Sequence, residues 1–139
     1  MNILVIDAQG GGIGKQLVAR IKKEYPSENI IAVGTNSIAT AAMIKAGADQ
    51  GATGENAVVV ACRTADIIIG PVGIIITDAM LGEVTATIAQ SVARAKAIRI
   101  LIPFNMCDTI IAGIVDTSTG NLINAAMESL RSSSCSVTK

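Results

Sequence analysis

The sequence predicts an α/β protein, a three-layer α/β/α Rossmann-like domain with a mostly parallel sheet of about five strands. Short runs rich in Ile and Val alternate along the 139 residues with segments of helical periodicity. Half of the residues are hydrophobic and only 16% are charged, as in strands that helices cover on both faces. We expect one domain over residues 1–130 and a flexible, serine-rich tail over 131–139.

Each element is predicted from hydrophobic periodicity and from the residues that begin or end it. Apolar runs next to glycine or proline predict strands, and apolar side chains three and four residues apart predict helices. Pro26 ends the first helix, Ser37 can cap the second, and Gly47 ends it. Residues 51–54 are predicted to form a loop, and 73–81 fits either a helix or a strand. The predicted strands are 2–6, 30–33, 66–70, 99–103 and 110–115, and the predicted helices are 13–25, 37–46, 56–63, 85–97 and 122–130. For 56–63 a strand is the alternative, because three valines follow one another there, but the spacing before the next strand favours a helix.

The composition excludes several classes of partner. Lys plus Arg and Asp plus Glu both number 11, and there are one Tyr, one Phe and no Trp, so we expect no nucleic-acid partner. The most apolar window, 65–82, is interrupted by charges, glycines and a proline, so we expect no membrane span. The absence of a signal segment and three cysteines without close spacing, Cys62, Cys107 and Cys135, predict a cytoplasmic location. The low fraction of charged residues favours a homo-oligomer.

The main functional signal is a cluster of glycines directly after the first strand, Gly10-Gly11-Gly12-Ile13-Gly14-Lys15. A strand, a glycine turn and a helix start leave backbone N–H groups that can hold a phosphate. The dinucleotide motif fails because Lys15 replaces its third glycine, and the P-loop motif fails at Gln9 and Gln16. The turn resembles that of short-chain dehydrogenases, but Tyr25 lacks their lysine partner, so their hydride transfer is not supported. Glycines that only permit tight packing are the alternative.

Further binding candidates follow other predicted strands, because the carboxyl ends of parallel strands meet at one edge of the sheet. These candidates are Thr35, Asn36 and Ser37 after the second strand and Asn105 after the fourth. No acidic residue follows the second strand to accept ribose hydroxyls. The hydroxyl and amide groups there therefore favour a phosphate, and so NADP over NAD if a dinucleotide binds; another nucleotide is the alternative. Ser37 as a simple helix cap is an equal alternative.

Candidates for catalysis are few, because the chain contains no histidine and so no histidine acid–base group. Asp7 beside a phosphate needs Lys15 or Mg²⁺ to offset its charge, or else it caps its own turn. Glu83 and Asp78 are paired carboxylates, metal ligands or a solvated helix end, and an enzyme would use Asp7 or Glu83 as an acid–base group or a Mg²⁺ ligand. Cys107 is a small buried residue or, less favourably, a nucleophile. The sequence leaves open whether any reaction is catalysed, and a non-catalytic oligomeric or partner-binding protein is the alternative to phosphate binding.

Several longer runs carry a resemblance to a known family. They are 7–15, 34–40, 47–49, 54–56, 65–71, 82–85 and 101–103. On these runs the chain resembles, over residues 1–130, a family of small bacterial proteins known only as a domain of unknown function. The resemblance implies a compact Rossmann-like domain and adds no catalytic residue.

Overall fold

A computed structural model describes residues 1–104, 108–115 and 118–137, and it confirms the predicted α/β fold. Five strands form one sheet, and every strand pair described is parallel. The strands are β1 (Asn2–Asp7), β2 (Asn29–Gly34), β3 (Gln50–Thr53), β4 (Ile67–Pro71) and β5 (Ile98–Ile102). The helices are α1 (Gly12–Glu24), α2 (Ser37–Lys45), α3 (Glu55–Cys62), α4 (Ala86–Arg94) and α5 (Thr119–Val137), with a short 3₁₀ turn at Val72–Ile75.

The strand order is β3-β2-β1-β4-β5, with β1 at the centre. The chain runs outward from β1 through β2 to β3, and then returns to the other side of β1 to form β4 and β5. The direction of winding therefore reverses between β1 and β4, which are neighbours in register from Ile3 opposite Ile67 to Val5 opposite Ile69. In open parallel sheets, ligands bind in the crevice that such a reversal creates at the carboxyl ends of the strands.

The two faces of β1 are covered by two separate hydrophobic clusters. Ile3 and Val5 point into a cluster formed with α1 and α5, and Leu4 and Ile6 point into a second cluster formed with α3 and α4. All four side chains are fully buried. Burial of one such side chain stabilises the fold by about 1.5–3 kcal/mol, so the strand that leads into the glycine turn is firmly anchored.

Two strand predictions were wrong. Residues 50–53, predicted largely as a loop, form the edge strand β3 and pair with β2 through Gln50–Thr53 although all four residues are exposed. Residues 110–115, predicted as the fifth strand, form no strand in the described segment 108–115. Ile110 and Val115 are 91% and 96% exposed, so this apolar run lies on the surface instead of inside the sheet.

Three local predictions are also corrected. Asn36, and not Ser37, caps α2, since its side-chain oxygen accepts a hydrogen bond of 2.9 Å from the amide of Ala39. In the segment 73–81, residues 73–75 belong to the short 3₁₀ turn and 76–81 form a loop, so the segment is neither an α-helix nor a strand. Helix α5 continues to Val137, so the described part of the predicted tail is helical and Val137 packs against the core. Among the helices described, none is long and apolar enough to cross a bilayer.

Candidate ligand-binding site

A cavity of about 170 Å³ opens beside the glycine turn. Asp7 at the end of β1 and Pro71 at the end of β4 both line it, so it lies at the point where the winding of the sheet reverses. Its wall is mostly backbone and small side chains from the β1–α1 connection. The lining residues are Asp7, Ala8, Gln9, Gly10, Gly11, Gly12, Ile13, Gln16, Pro71, Met80, Phe104 and Thr119.

Two of the four clustered glycines are required by the protein itself. Gly11 has a φ of +72°, and a Cβ there would lie 2.9 Å from Cα and 3.0 Å from the carbonyl oxygen of Ala39. A Cβ on Gly14 would lie 2.6 Å from Sδ of Met43 and 2.9 Å from Cβ of Asp7. These glycines let α1 approach α2 and β1 closely, so the packing interpretation accounts for them.

The other two glycines have no such requirement. A Cβ built on Gly10 or on Gly12 would meet nothing within 4 Å, and neither residue has a positive φ. Their amide N–H groups have no acceptor among the described residues. Gly10 and Gly12 therefore line the cavity beside the N-terminus of a 13-residue helix, with amides that no described residue occupies. Such amides bind anions.

Asp7 is turned inward and holds the glycine turn together. Its side chain is 4% exposed, and its two oxygens accept hydrogen bonds from the amides of Ala8, at 2.8 Å, and Gly14, at 2.7 Å. Burial raises the pKa of Asp7, while the amides of Gly14, Ala8 and Ile13 act to lower it. Asp7 thus caps the backbone of its own turn. It accepts hydrogen bonds from the amides of Ile13 and Gly14, which were predicted from the sequence to bind a phosphate.

Glu83 connects the glycine turn to the end of β2. One carboxylate oxygen, Oε1, accepts hydrogen bonds from the amide of Gln9 (3.0 Å), the hydroxyl of Thr35 (2.8 Å) and Nδ2 of Asn36 (2.6 Å). The half-buried position raises the pKa of Glu83, but the donors from Gln9, Asn36 and Thr35 outweigh burial and the net pKa is lowered. Glu83 is therefore an ionised carboxylate in a fixed orientation, and not a solvated helix end.

The loop that carries Glu83 has an unusual backbone. Asp78, Met80 and Leu81 all have positive φ, between 55° and 65°. Non-glycine residues seldom adopt this conformation, and they cluster at functional sites. Asp78 is exposed and forms no hydrogen-bonded pair with Glu83 within the described part of the chain, whereas Met80 turns back over Gly73 and lines the cavity.

The structure brings only some of the predicted site residues together. Gly10, Gly11, Gly12 and Ile13 line the cavity, although the Ile13 side chain belongs to the core. Lys15 is exposed and lies in a separate groove between α1 and α2. Ser37 is exposed and, like Thr35 and Asn36, is absent from the cavity lining. The candidates Asn105 and Cys107 lie outside the described residues.

Several lining residues were not among the site residues predicted from the sequence. Met80, Phe104 and Thr119 reach the cavity from distant segments, and Gln16 follows the glycine turn on α1. Phe104 comes two residues after β5, so the rule that strand ends line the site could have found it. No local pattern indicates Met80 or Thr119. Among the described residues, no group of three or more Asp, Glu, Cys or His side chains could hold a metal ion.

Comparison with known proteins gives the family but no activity. Residues 2–134 match a protein family described as "Domain of unknown function (DUF3842)". The chain belongs to this family. No curated protein matches the sequence. Among solved structures, the fold is similar to the dodecameric FMN-dependent UbiX-like decarboxylase from Escherichia coli O157:H7, with 14% identity, 94% of each chain covered and a TM-score of 0.46.

Proposed function

We propose that this member of the family binds a phosphate-bearing small molecule, most simply a nucleotide, at the β1–α1 turn. The proposal depends on one observation. No packing contact within the described protein requires glycine at positions 10 and 12, because a Cβ on Gly10 or Gly12 would meet no atom within 4 Å. Both amides lack an acceptor among the described residues, and the partial positive charge at the N-terminus of α1 adds to their attraction for an anion.

The position of the cavity supports the same proposal. It lies at the carboxyl ends of β1 and β4, where the winding of the sheet reverses and where open α/β folds bind their ligands. Asp7 does not block a phosphate directly, because its oxygens are directed at backbone amides on the inner side of the turn. The exposed Lys15 is close in sequence and supplies a cation to the outer surface of α1.

The direct test is binding of inorganic pyrophosphate and ADP, followed by thermal unfolding and calorimetric titration. A ligand at 100 times its Kd should stabilise the protein by about 2.7 kcal/mol. Gly12→Val fills the open space and should abolish binding without unfolding the protein. Gly120→Val is the matched control, since Gly120 also lies in the first turn of a helix with no atom within 4 Å of a built Cβ. Absence of stabilisation by both compounds would reject the proposal.

A second candidate function is a protein that acts through self-association or partner binding. Leu81, Ile110 and Val115 are each more than 90% exposed, and large apolar side chains in such positions favour contacts with another protein surface. We propose a cytoplasmic homo-oligomer, which is compatible with ligand binding. Sedimentation velocity at micromolar concentration tests self-association, and a single monomeric species would contradict it. If Gly12→Val bound ADP and pyrophosphate with wild-type affinity, the glycines would be purely structural.

A further inference from the structure

We infer that Glu83 is the acceptor for a sugar hydroxyl of the bound ligand, and that it selects a nucleotide with free ribose hydroxyls over one with a 2′-phosphate. The inference rests on the proposed function, because it places the sugar relative to a phosphate held at Gly10 and Gly12. It assigns a specificity role to a residue of the β4–α4 connection.

The two oxygens of Glu83 differ in their surroundings. Oε1 receives all three hydrogen bonds, from Gln9, Thr35 and Asn36, whereas Oε2 has no partner among the described residues. Three donors from two different segments fix the plane of the carboxylate and leave its second oxygen available. An ionised carboxylate can only accept hydrogen bonds, so Oε2 suits a hydroxyl group and repels a phosphate.

Glu83 is not part of the cavity lining itself, but it is hydrogen-bonded to Gln9, which lines the cavity. Oε1 of Glu83 lies 3.0 Å from the amide of Gln9, which directly precedes Gly10. Consecutive Cα atoms are about 3.8 Å apart, and the amide that Glu83 contacts is one residue before Gly10 and three before Gly12. The ribose hydroxyls of a nucleotide are separated from its phosphate on this same short scale. The hydroxyl of Thr35 donates a hydrogen bond to Glu83, which leaves the hydroxyl oxygen able to accept one from a second ribose hydroxyl.

This geometry changes the cofactor expected from the sequence. The preference for NADP depended on Thr35 and Asn36 offering free donors at an end of β2 without a carboxylate. Both residues instead direct donors at Glu83. No ion pair neutralises Glu83 within the described residues. A 2′-phosphate would therefore meet an uncompensated negative charge, while unmodified ribose would meet an acceptor.

The experiment uses the full-length protein and two matched pairs of probes in calorimetric titrations. The first pair is ADP and 2′,3′-dideoxy-ADP, and the second is AMP and adenosine 2′,5′-bisphosphate. Wild-type protein should bind ADP about tenfold or more tightly than the dideoxy compound, since a hydrogen bond to a charged acceptor is lost. It should also bind AMP more tightly than the bisphosphate, although the bisphosphate carries the larger charge.

Glu83→Gln tests the residue itself, because glutamine keeps the shape and one acceptor oxygen. We expect ADP to bind about tenfold more weakly and the dideoxy compound to bind as it does to the wild type, so the two changes are not additive. The preference for AMP over the bisphosphate should shrink. Glu55→Gln is the matched control, since Glu55 also accepts a hydroxyl bond, from Thr85 at 2.6 Å, but does not contact the glycine turn.

The outcomes separate this inference from the proposed function. If ADP binds in a manner sensitive to Gly12→Val, but the dideoxy compound binds equally well and Glu83→Gln has no effect, the sugar-hydroxyl role is wrong and phosphate binding stands. If neither pyrophosphate nor any nucleotide binds, both proposals are overturned. If Glu83→Gln weakens ADP and the dideoxy compound by the same factor, Glu83 only supports the turn, and the inference is overturned.

Discussion

Two adjacent glycines in the turn should respond in opposite directions to the same substitution. Gly11→Ala places a side chain in the left-handed backbone region, which costs about 1–2 kcal/mol. It also places a Cβ 2.9 Å from the backbone of Ala39, and such overpacking costs about 1–3 kcal/mol more. Helix α2 cannot easily withdraw, because Asn36 ties its first turn to the carbonyl of Gln9 at 2.9 Å. We therefore expect Gly11→Ala to lose about 2–5 kcal/mol of unfolding free energy.

Gly12→Ala should instead be neutral or stabilising. Gly12 is the first residue of α1 and a Cβ there meets nothing within 4 Å. Alanine reduces the freedom of the unfolded chain and gains about 0.4–1 kcal/mol at such a position. Urea unfolding followed by far-ultraviolet circular dichroism measures both variants, with Gly120→Ala as a control expected to behave like Gly12→Ala. Equal midpoints for the Gly11 and Gly12 variants would refute the division of the turn into structural and open glycines.

Three further predictions concern ionisable side chains. Because the folded pKa of Glu83 is lowered, its ionised form stabilises the protein at pH values above the ordinary pKa of glutamate; Glu83→Gln should cost about 1 kcal/mol at neutral pH, and this cost should vanish on acidification through the folded pKa. Asp7→Asn leaves the amide of Ala8 or Gly14 facing a donor and should cost about 1–3 kcal/mol. Since burial raises the pKa of Asp7, its protonated form is the more stabilising one; the cost of Asp7→Asn should therefore decrease as pH rises, the reverse of Glu83→Gln, and parallel pH profiles in urea unfolding would contradict one of the two signs. Burial raises the pKa of the Cys62 thiol to about 11, so iodoacetamide should alkylate the exposed Cys135 and spare Cys62 until the protein unfolds, as peptide mass mapping will show; rapid alkylation of Cys62 in the folded protein would argue against a closed α3–α4 face.

The parts of the fold that sequence reasoning found are those encoded by local patterns. The apolar runs of β1 and β4 are buried on both faces and bounded by glycine or proline, so composition alone indicates buried parallel strands. The strand–glycine–helix order at Gly10–Gly14 is equally local. This order located the turn correctly. It could not show which backbone amides bind Asp7 and which remain available to a ligand, because that depends on the direction in which the Asp7 carboxylate points.

The parts it missed depend on contacts between distant segments. Glu83 reaches Thr35 and Asn36 across 48 and 47 residues of chain, and nothing near Glu83 in the sequence indicates this. The segment 110–115 has the apolar composition of a strand, yet it forms none in the described chain, whereas β3 pairs with β2 although its residues are exposed and carry no hydrophobic signal. Whether a segment is buried in a sheet depends on whether a neighbouring strand is available to pair with it. A hydrophobic pattern within one segment does not contain that information.

The same exposed strand has a consequence for solubility. β3 is at the edge of the sheet, so one side of its backbone has no neighbouring strand within the described chain. Edges of this kind can template pairing with another molecule and begin aggregation. Here the edge is four residues long, with polar ends at Gln50 and Thr53. Gly51, over which Ile44 packs, gives it little tendency to extend. The composition that concealed β3 in the sequence thus makes it a poor nucleus for intermolecular β-sheet.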